Sequence, residues 1–290
     1  MLSHEENELI TRTGPSTPGG ETLRRYWQPV ALAAELPGGS APLPVRIMSE
    51  NLVLFRDESG QPGLLGIHCA HRGADLSYAR LEDGGLRCIY HGWLYDRTGR
   101  CLEQPGEPAG STFHERIHQP AYQCVEVGGF ILAYLGPGEP PLVPNYDFLS
   151  VPEGNRVTTK LLHECNYHQA NEGNLDPQHL GVLHRTFDDD GDGNMALAAL
   201  DLAPMIEAEE TSFGASVFSM RRVGPSRRYI RVNHFILPNI SAFPVGREQG
   251  YNVRDPAKNV FPNLVVTSGL IDDSMEWRAF WSMGEPAATT

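Results

Sequence analysis

The sequence lacks any apolar run near the ~18 residues that a membrane-spanning helix requires. Its first ten residues hold three glutamates and no apolar stretch, so no secretory signal is expected there. Basic charge is scarce: 23 Lys and Arg against 36 Asp and Glu leave a net charge of -13, with no basic footprint for nucleic acid. Cysteine is scarce and odd in number, five in 290 residues. That excludes a disulfide scaffold and fits the reducing cytoplasm, where thiols act as ligands or lie buried. There is no internal repeat and no low-complexity tract, so the composition is that of a folded protein long enough for one large domain or two ordinary ones.

What is present is an ordered change of texture. Residues 1–40 end in Pro37-Gly38-Gly39-Ser40, a loop signal, and residues 23–36 are expected to include a short helix that packs Tyr26 and Trp27. Residues 41–140 read as short β-strands: 51–55, 64–67 and 130–135 are apolar and β-prone, and turn signals fall at Asp83-Gly84-Gly85, Asp96-Arg97-Thr98-Gly99 and Gly128-Gly129. Residues 136–141, Gly-Pro-Gly-Glu-Pro-Pro, cannot continue a helix or a central strand and make the best linker. In residues 141–290 helical spacing over 164–187 and a short Ala/Leu-rich helix over 194–201 precede strands at 216–222, 229–237, 264–267 and 277–281. The fold class expected is α+β, an antiparallel β domain followed by helices on an antiparallel sheet.

Two Cys-His pairs dominate the first region. Cys69-Ala70-His71 and Cys88-Ile89-Tyr90-His91 are each followed closely by a glycine, Gly73 and Gly92. Two thiolates and two imidazoles can bind zinc, or a [2Fe-2S] cluster with two Cys on one iron and two His on the other. Zinc sites usually group the two Cys in one pair and the two His in another, whereas each pair here mixes the two types. The glycines suit tight turns and a close backbone approach to a cluster. The other cysteines, Cys101, Cys124 and Cys165, have no ligand spacing and are expected to be buried thiols.

The second region contains Asp176-Pro177-Gln178-His179-Leu180-Gly181-Val182-Leu183-His184. On an ideal helix Asp176 and His179 share a face, whereas His179 and His184 lie about 140° apart. One metal bound by both histidines therefore requires the helix to bend or end between them, and Gly181 is placed to allow it. Taken alone, this spacing is also met in surface and capping clusters.

Together the motifs resemble those of Rieske non-heme iron aromatic-ring-hydroxylating oxygenases, in particular the phthalate-dioxygenase-like oxygenase (alpha) component. Residues 69–76 and 88–93 resemble the Rieske signature C-x-H…C-x2-H without the extra cysteines of the respiratory type, which implies the low-potential class. Residues 166–184 resemble the segment N-x-x-Q-x-x-E-G-x-x-D-x-x-H-x-x-x-x-H. Asn166, Gln169 and Glu172 occupy its polar positions, and His168 stands where a leucine is common.

The resemblance implies Cys69, His71, Cys88 and His91 as cluster ligands, and His179 and His184 as ligands of a mononuclear Fe(II) with a third, carboxylate ligand. It implies Asp176 as the bridge carrying electrons between subunits of a homotrimer. It further implies a partial helix-grip (START-like) catalytic domain, O2 as co-substrate, electrons from NAD(P)H through a separate flavin/iron-sulfur reductase, a small aromatic or related organic substrate, and a cytoplasmic enzyme without nucleic-acid or membrane partners. The alternatives are a Rieske-type electron-transfer protein and a truncated fragment that binds only the cluster.

The third ligand is expected beyond Thr290, since the family's carboxylate comes well after the His pair; Asp272 and Asp273 are weaker candidates. The chain is on this ground expected to be C-terminally truncated. Among weaker signals, residues 188–193 imitate the start of a calcium loop but have Ala199 where its closing Glu belongs. Arg221, Arg222, Arg227, Arg228 and Arg231 read as solvated strand edges around a turn.

Overall fold

The computed structural model describes residues 2–163, 165–184, 194–244, 263–269 and 275–281. The chain divides into two units, the first running to Pro144 and the second starting at Asn145. Among the described residues no helix is long and apolar enough to cross a membrane.

The first unit opens with α1 (His4–Thr11), capped by Ser3 and Glu6, and α2 (Pro18–Leu23). A six-stranded antiparallel sheet follows, in the order β1 (Gln28–Leu32), β10 (Phe130–Tyr134), β9 (Ala121–Val127), β4 (Pro62–Gly66), β3 (Glu50–Arg56), β2 (Leu43–Ile47). A smaller antiparallel sheet runs β5 (Arg80–Glu82), β6 (Gly85–Arg87), β7 (Leu94–Asp96), β8 (Cys101–Glu103). The two-residue hairpin turns sit where the dipeptides demand them: Asp83 and Gly84 between β5 and β6, and Gly128 and Gly129 between β9 and β10, all have positive φ.

The short helix expected within 23–36 to pack Tyr26 and Trp27 is not found there; the window holds a 3-10 turn at Ala33–Glu35 instead. α2 ends at Leu23, and residues 28–32 pair with β10 as an edge strand. Pro29 has no N–H to donate, which suits an edge, and the register shifts between Pro29 and Ala31. Trp27 is half-buried against Tyr134 and donates its indole N–H to the Pro141 carbonyl, while Tyr26 is exposed. Residues 135–146 carry no helix or strand.

The second unit is a seven-stranded antiparallel sheet with helices. Its order is β11 (Arg156–Leu162), β17 (Met275–Trp281), β16 (Asn263–Gly269), β15 (Ile240–Pro244), β14 (Arg228–Ile236), β13 (Gly214–Arg222), β12 (Met205–Thr211). A one-turn α3 (Asp147–Ser150) precedes β11, and α4 (Tyr167–Leu175) packs against β14 to β17. α5 (Asn194–Ala199) packs on a 3-10 turn at His179–Gly181. The α+β class expected from the sequence is therefore the one found.

Helix α4 is shorter than the spacing over 164–187 suggested, because Pro177 disfavours the α conformation at the residue before it. Asp176 is extended (φ -70°, ψ 114°) and terminates the helix. The break thus lies ahead of Asp176, not at Gly181. Gly181 serves a different purpose: a Cβ there would lie 2.7 Å from the Ala198 carbonyl and 2.9 Å from Leu202, so glycine is what lets α5 approach.

The arginine cluster corrects another expectation. Arg222 and Arg228 are exposed, but Arg231 is buried and Arg221 is 0% exposed. Both lie on the sheet face that meets α4, where solvated edges were expected. Residues 188–193, the calcium-loop imitation, and Asp272 and Asp273 fall outside the described residues.

Candidate metal centres

The two Cys-His loops are conformational copies. In the first, the Gly73 amide donates to the Cys69 carbonyl (2.8 Å) and the Cys69 amide to Ala74 (2.9 Å). In the second, the Gly92 amide donates to Cys88 (3.0 Å) and the Cys88 amide to Trp93 (2.9 Å). Each turn closes through a left-handed glycine, Gly73 at φ 71° and Gly92 at φ 74°, a conformation that costs other residues about 1–2 kcal/mol. The copies differ in where the imidazole sits, two residues after Cys69 but three after Cys88.

The loops bring their four candidate ligands together. Cys69 and Cys88 are buried in the same core cluster. The rings of His71 and His91 are 4.4 Å apart. Trp93 stacks flat on His71 at 4.5 Å, as packing over the loops requires, whereas Tyr90 is exposed and leans on His91 at 3.8 Å. Partial burial, then the charges of His91 and Arg72, hold the His71 pKa below its ordinary value. Burial pushes the Cys88 thiol up.

Three supporting residues had no motif to announce them. Gln119, buried, donates to the carbonyls of Gly66 (2.6 Å) and His68 (2.7 Å) and accepts from the Ala70 amide (2.9 Å), so it grips the first loop on both sides of Cys69. Arg87 grips the second: it donates to the Gly92 carbonyl (3.0 Å) and pairs with Glu82, Asp83 and Glu103. Tyr95, fully buried, places its hydroxyl 3.2 Å from the Cys69 sulfur. Of the remaining thiols, Cys101 is buried and its pKa pushed up to about 11, chiefly by that burial, and Cys124 is half-buried. Cys165 is exposed, contrary to expectation, because it lies in the turn before α4 rather than on the face of an element.

In the second unit Asn166 caps α4 by accepting from the His168 amide (3.0 Å), and Gln169 donates to Glu172 (3.2 Å). All three of the motif's polar positions thus have local structural work. Asp176 Oδ1 accepts from the Gln178 amide (2.7 Å), and Oδ2 accepts from the His179 amide (3.3 Å) and ring Nδ1 (3.0 Å). A carboxylate held this way has its pKa lowered against the opposing effect of burial. An ionised carboxylate only accepts, so Nδ1 carries the proton and Nε2 is left as the lone-pair donor, the arrangement in which a second carboxylate orients a metal-binding imidazole. His184 brings its ring to 5.1 Å from that of His179. Burial, then the charges of His179 and Arg231, hold its pKa below the ordinary value.

Comparison with known proteins agrees with this geometry. The profile of the Rieske [2Fe-2S] domain matches residues 26–123. The chain is 39% identical over 251 residues to the phenoxybenzoate dioxygenase subunit alpha of Ectopseudomonas oleovorans, covering 81% of this chain and 60% of that one. It is 35% identical over 260 residues to the phthalate 4,5-dioxygenase oxygenase subunit of Pseudomonas putida, covering 84% of this chain and 58% of that one. The chain carries a Rieske [2Fe-2S] domain and is similar to the oxygenase subunits of Rieske oxygenases. It spans about three-fifths of the length of these relatives. Its fold is that of the terminal oxygenase of carbazole 1,9a-dioxygenase from Novosphingobium sp. KA1, with a TM-score of 0.68 and 18% identity over 98% of this chain and 80% of that one.

The residues present fit the groups that a Rieske oxygenase holds. Around the first loops, two buried sulfurs and two imidazoles offer the mixed donor set of a Rieske cluster, and His71 Nδ1 is a buried nitrogen without a hydrogen-bond partner among the described residues. Around α4, two neighbouring imidazoles offer two arms for one Fe(II). Among the described residues no three His, Cys, Asp or Glu side chains gather around a single ion. Asp176 is engaged with His179 and its own turn, and so does not supply the missing carboxylate arm.

Proposed function

We propose that this chain carries both redox centres of an oxygenase component that hydroxylates or O-demethylates a small aromatic or related organic substrate. One observation carries the reading: a single chain holds two glycine-closed Cys-His loops and, in its second unit, a histidine pair whose first ring is oriented by a carboxylate. An electron-transfer protein needs the loops but not the second arrangement. When bound, the cluster supplies electrons singly and the Fe(II) supplies O2 activation.

The chain's own residues prepare these sites. Cys69, His71, Cys88 and His91 hold the cluster, and His179 and His184 hold the iron. Asp176 keeps the His179 proton on Nδ1 and serves as the electron bridge to a neighbouring subunit of a homotrimer. The third iron ligand lies outside the described residues, and Thr290 need not be the end of the segment that bears it. Relatives named phenoxybenzoate dioxygenase, phthalate 4,5-dioxygenase and 5,5'-dehydrodivanillate O-demethylase support the aromatic substrate class. Solved oxygenase–ferredoxin complexes of the same fold support a separate electron-donating partner, fed by NAD(P)H through a reductase in the cytoplasm.

The test is iron and sulfide analysis with EPR on the full-length protein. Three irons and two sulfides per chain are expected, and His179→Ala is expected to lose one iron and all substrate oxidation while keeping the Rieske signal. Two irons with no further Fe(II) uptake would favour the electron-transfer reading. Loss of the Rieske signal in His179→Ala would show that the sites are misassigned.

A further inference from the structure

The end of α4 leaves carbonyl groups without helical partners, as every helix C-terminus does. Here the problem is acute, because Asp176 leaves the helix in an extended conformation one residue before a proline. Two side chains from the sheet below take up those carbonyls, one on each side of Asp176. Asn233 on β14 donates its Nδ2 to the Asn174 carbonyl at 2.9 Å. Arg221 on β13 donates its Nη2 to the Pro177 carbonyl in a short hydrogen bond.

The register explains why these two residues are available. Val217 lies opposite Asn233 and Arg221 opposite Tyr229, so Arg221 and Asn233 point to the same face of the sheet. Arg231, two residues from Asn233 and on the same face, donates its Nε to Asn233 Oδ1 at 3.1 Å. That bond settles the orientation of the amide: its oxygen is occupied by a donor, so the NH2 group is the end that meets Asn174.

Arg221 is an expensive residue to bury. It is 0% exposed, and among the described residues its Nε has no hydrogen-bond partner and its other hydrogen bond is to Ser219 Oγ at 3.4 Å. Desolvation lowers its pKa; the nearby charges of Asp201 and Asp176 oppose that. A buried cation in such a setting is kept only where something compensates it. Beside those charges, what compensates it is the Pro177 carbonyl, just past the negative end of α4.

We propose that Arg221, with Asn233, is a positioning residue of the mononuclear iron site: the pair clamps the Asn174–Pro177 junction and thereby sets where Asp176 presents its carboxylate to His179. This rests on the reading of His179 as an iron ligand. Neither Arg221 nor Asn233 touches the metal. Their effect passes through two backbone carbonyls to the Asp176–His179 hydrogen bond, and misplacing such an outer partner costs a site about 10–100-fold in metal affinity.

The experiment uses the full-length protein with its cluster intact and its mononuclear site emptied by chelation, titrated with Fe(II) and separately with Co(II). Arg221→Met is expected to weaken Fe(II) binding about 10–100-fold and to shift the visible Co(II) spectrum, with the Rieske absorption unchanged. Arg221→Lys, which can still reach the Pro177 carbonyl, is expected to recover most of both. Asn233→Asp keeps the acceptor for Arg231 and replaces the donor to Asn174 with an oxygen that repels that carbonyl, and a loss in the same direction is expected. Wild-type affinity and an unchanged Co(II) spectrum in folded Arg221→Met would overturn the proposal. If Arg221→Met does not fold, Asn233→Asp decides by the same measure. His179→Ala separates the two levels: if it binds Fe(II) as tightly as wild type, the iron-site reading itself falls and the clamp with it. If His179→Ala abolishes binding and the clamp variants do not weaken it, only the clamp falls.

Discussion

The two metal-facing regions are built by different means. The cluster loops are self-sufficient in outline: each closes on itself through a Cys-to-Gly hydrogen bond, and both use the same turn. The Asp176–His184 segment has no such internal pattern. It is a broken helix and one 3-10 turn, and its backbone is held by side chains 44 and 59 residues further along the chain. A recurring turn keeps its shape wherever it is placed, whereas an irregular segment takes its shape from what it is packed on. The regions share one device: a buried polar side chain gripping backbone carbonyls beside the ligands, Gln119 and Arg87 in one, Arg221 and Asn233 in the other.

Three changes would break or sharpen this contrast. The largest effect is expected from Gln119→Leu, which leaves the Gly66 and His68 carbonyls and the Ala70 amide without their partner. Buried unpaired groups cost about 1–3 kcal/mol each, so a loss of roughly 3 kcal/mol is expected after relaxation. Thermal unfolding followed at the Rieske absorption should report it, with Fe(II) uptake at the second site unaffected below the transition. A cluster region as stable as wild type would mean that the loops stand without Gln119.

Gly181→Ala should act on the other unit alone. Its methyl group would meet the Ala198 carbonyl and Leu202, and overpacking of this kind costs about 2 kcal/mol. Weaker Fe(II) binding with an unchanged Rieske spectrum is expected; an equal disturbance of both signals would contradict the separation of the two regions. The smallest change is Tyr95→Phe, which removes the hydroxyl 3.2 Å from the Cys69 sulfur. A hydrogen bond to a ligand sulfur favours the more negative, reduced cluster, so its loss should lower the reduction potential by roughly 60 mV, a tenfold change in a one-electron equilibrium. Spectroelectrochemical titration measures this, and an unchanged potential would mean that the hydroxyl does not point its proton at the sulfur.

Much of this was legible in the residues. Apolar, β-prone runs announced β3, β4 and β10 of the first unit and β13, β14, β16 and β17 of the second, because strand pattern and turn chemistry are local properties; β1, β11, β12 and β15 went unannounced. The paired Cys-His spacing announced the cluster loops for the same reason. The helix expected within 23–36 to pack Tyr26 and Trp27 failed because Gln28, Pro29, Ala31 and Leu32 found the free edge of β10, a partner a hundred residues away in sequence. The long helix expected through His179 failed at Pro177, whose effect on Asp176 was there to be read. Arg221 and Arg231 were misread as solvated because a charged residue in a strand is usually at the surface. Their burial follows from which face of β13 and β14 meets α4, and no sequence window contains that.

The sequence by itself determined the ligand types, their spacing and the glycines that turn the backbone beside the cluster, since each depends on neighbours within a few residues. Only the tertiary structure decided which polar side chains are buried against those segments. Gln119, Arg87, Tyr95, Arg221 and Asn233 carry no signature of their own. Their roles arise because strand pairing brings donors from distant positions to backbone groups that water can no longer reach, and a buried group left unpaired costs more than the bond that satisfies it returns.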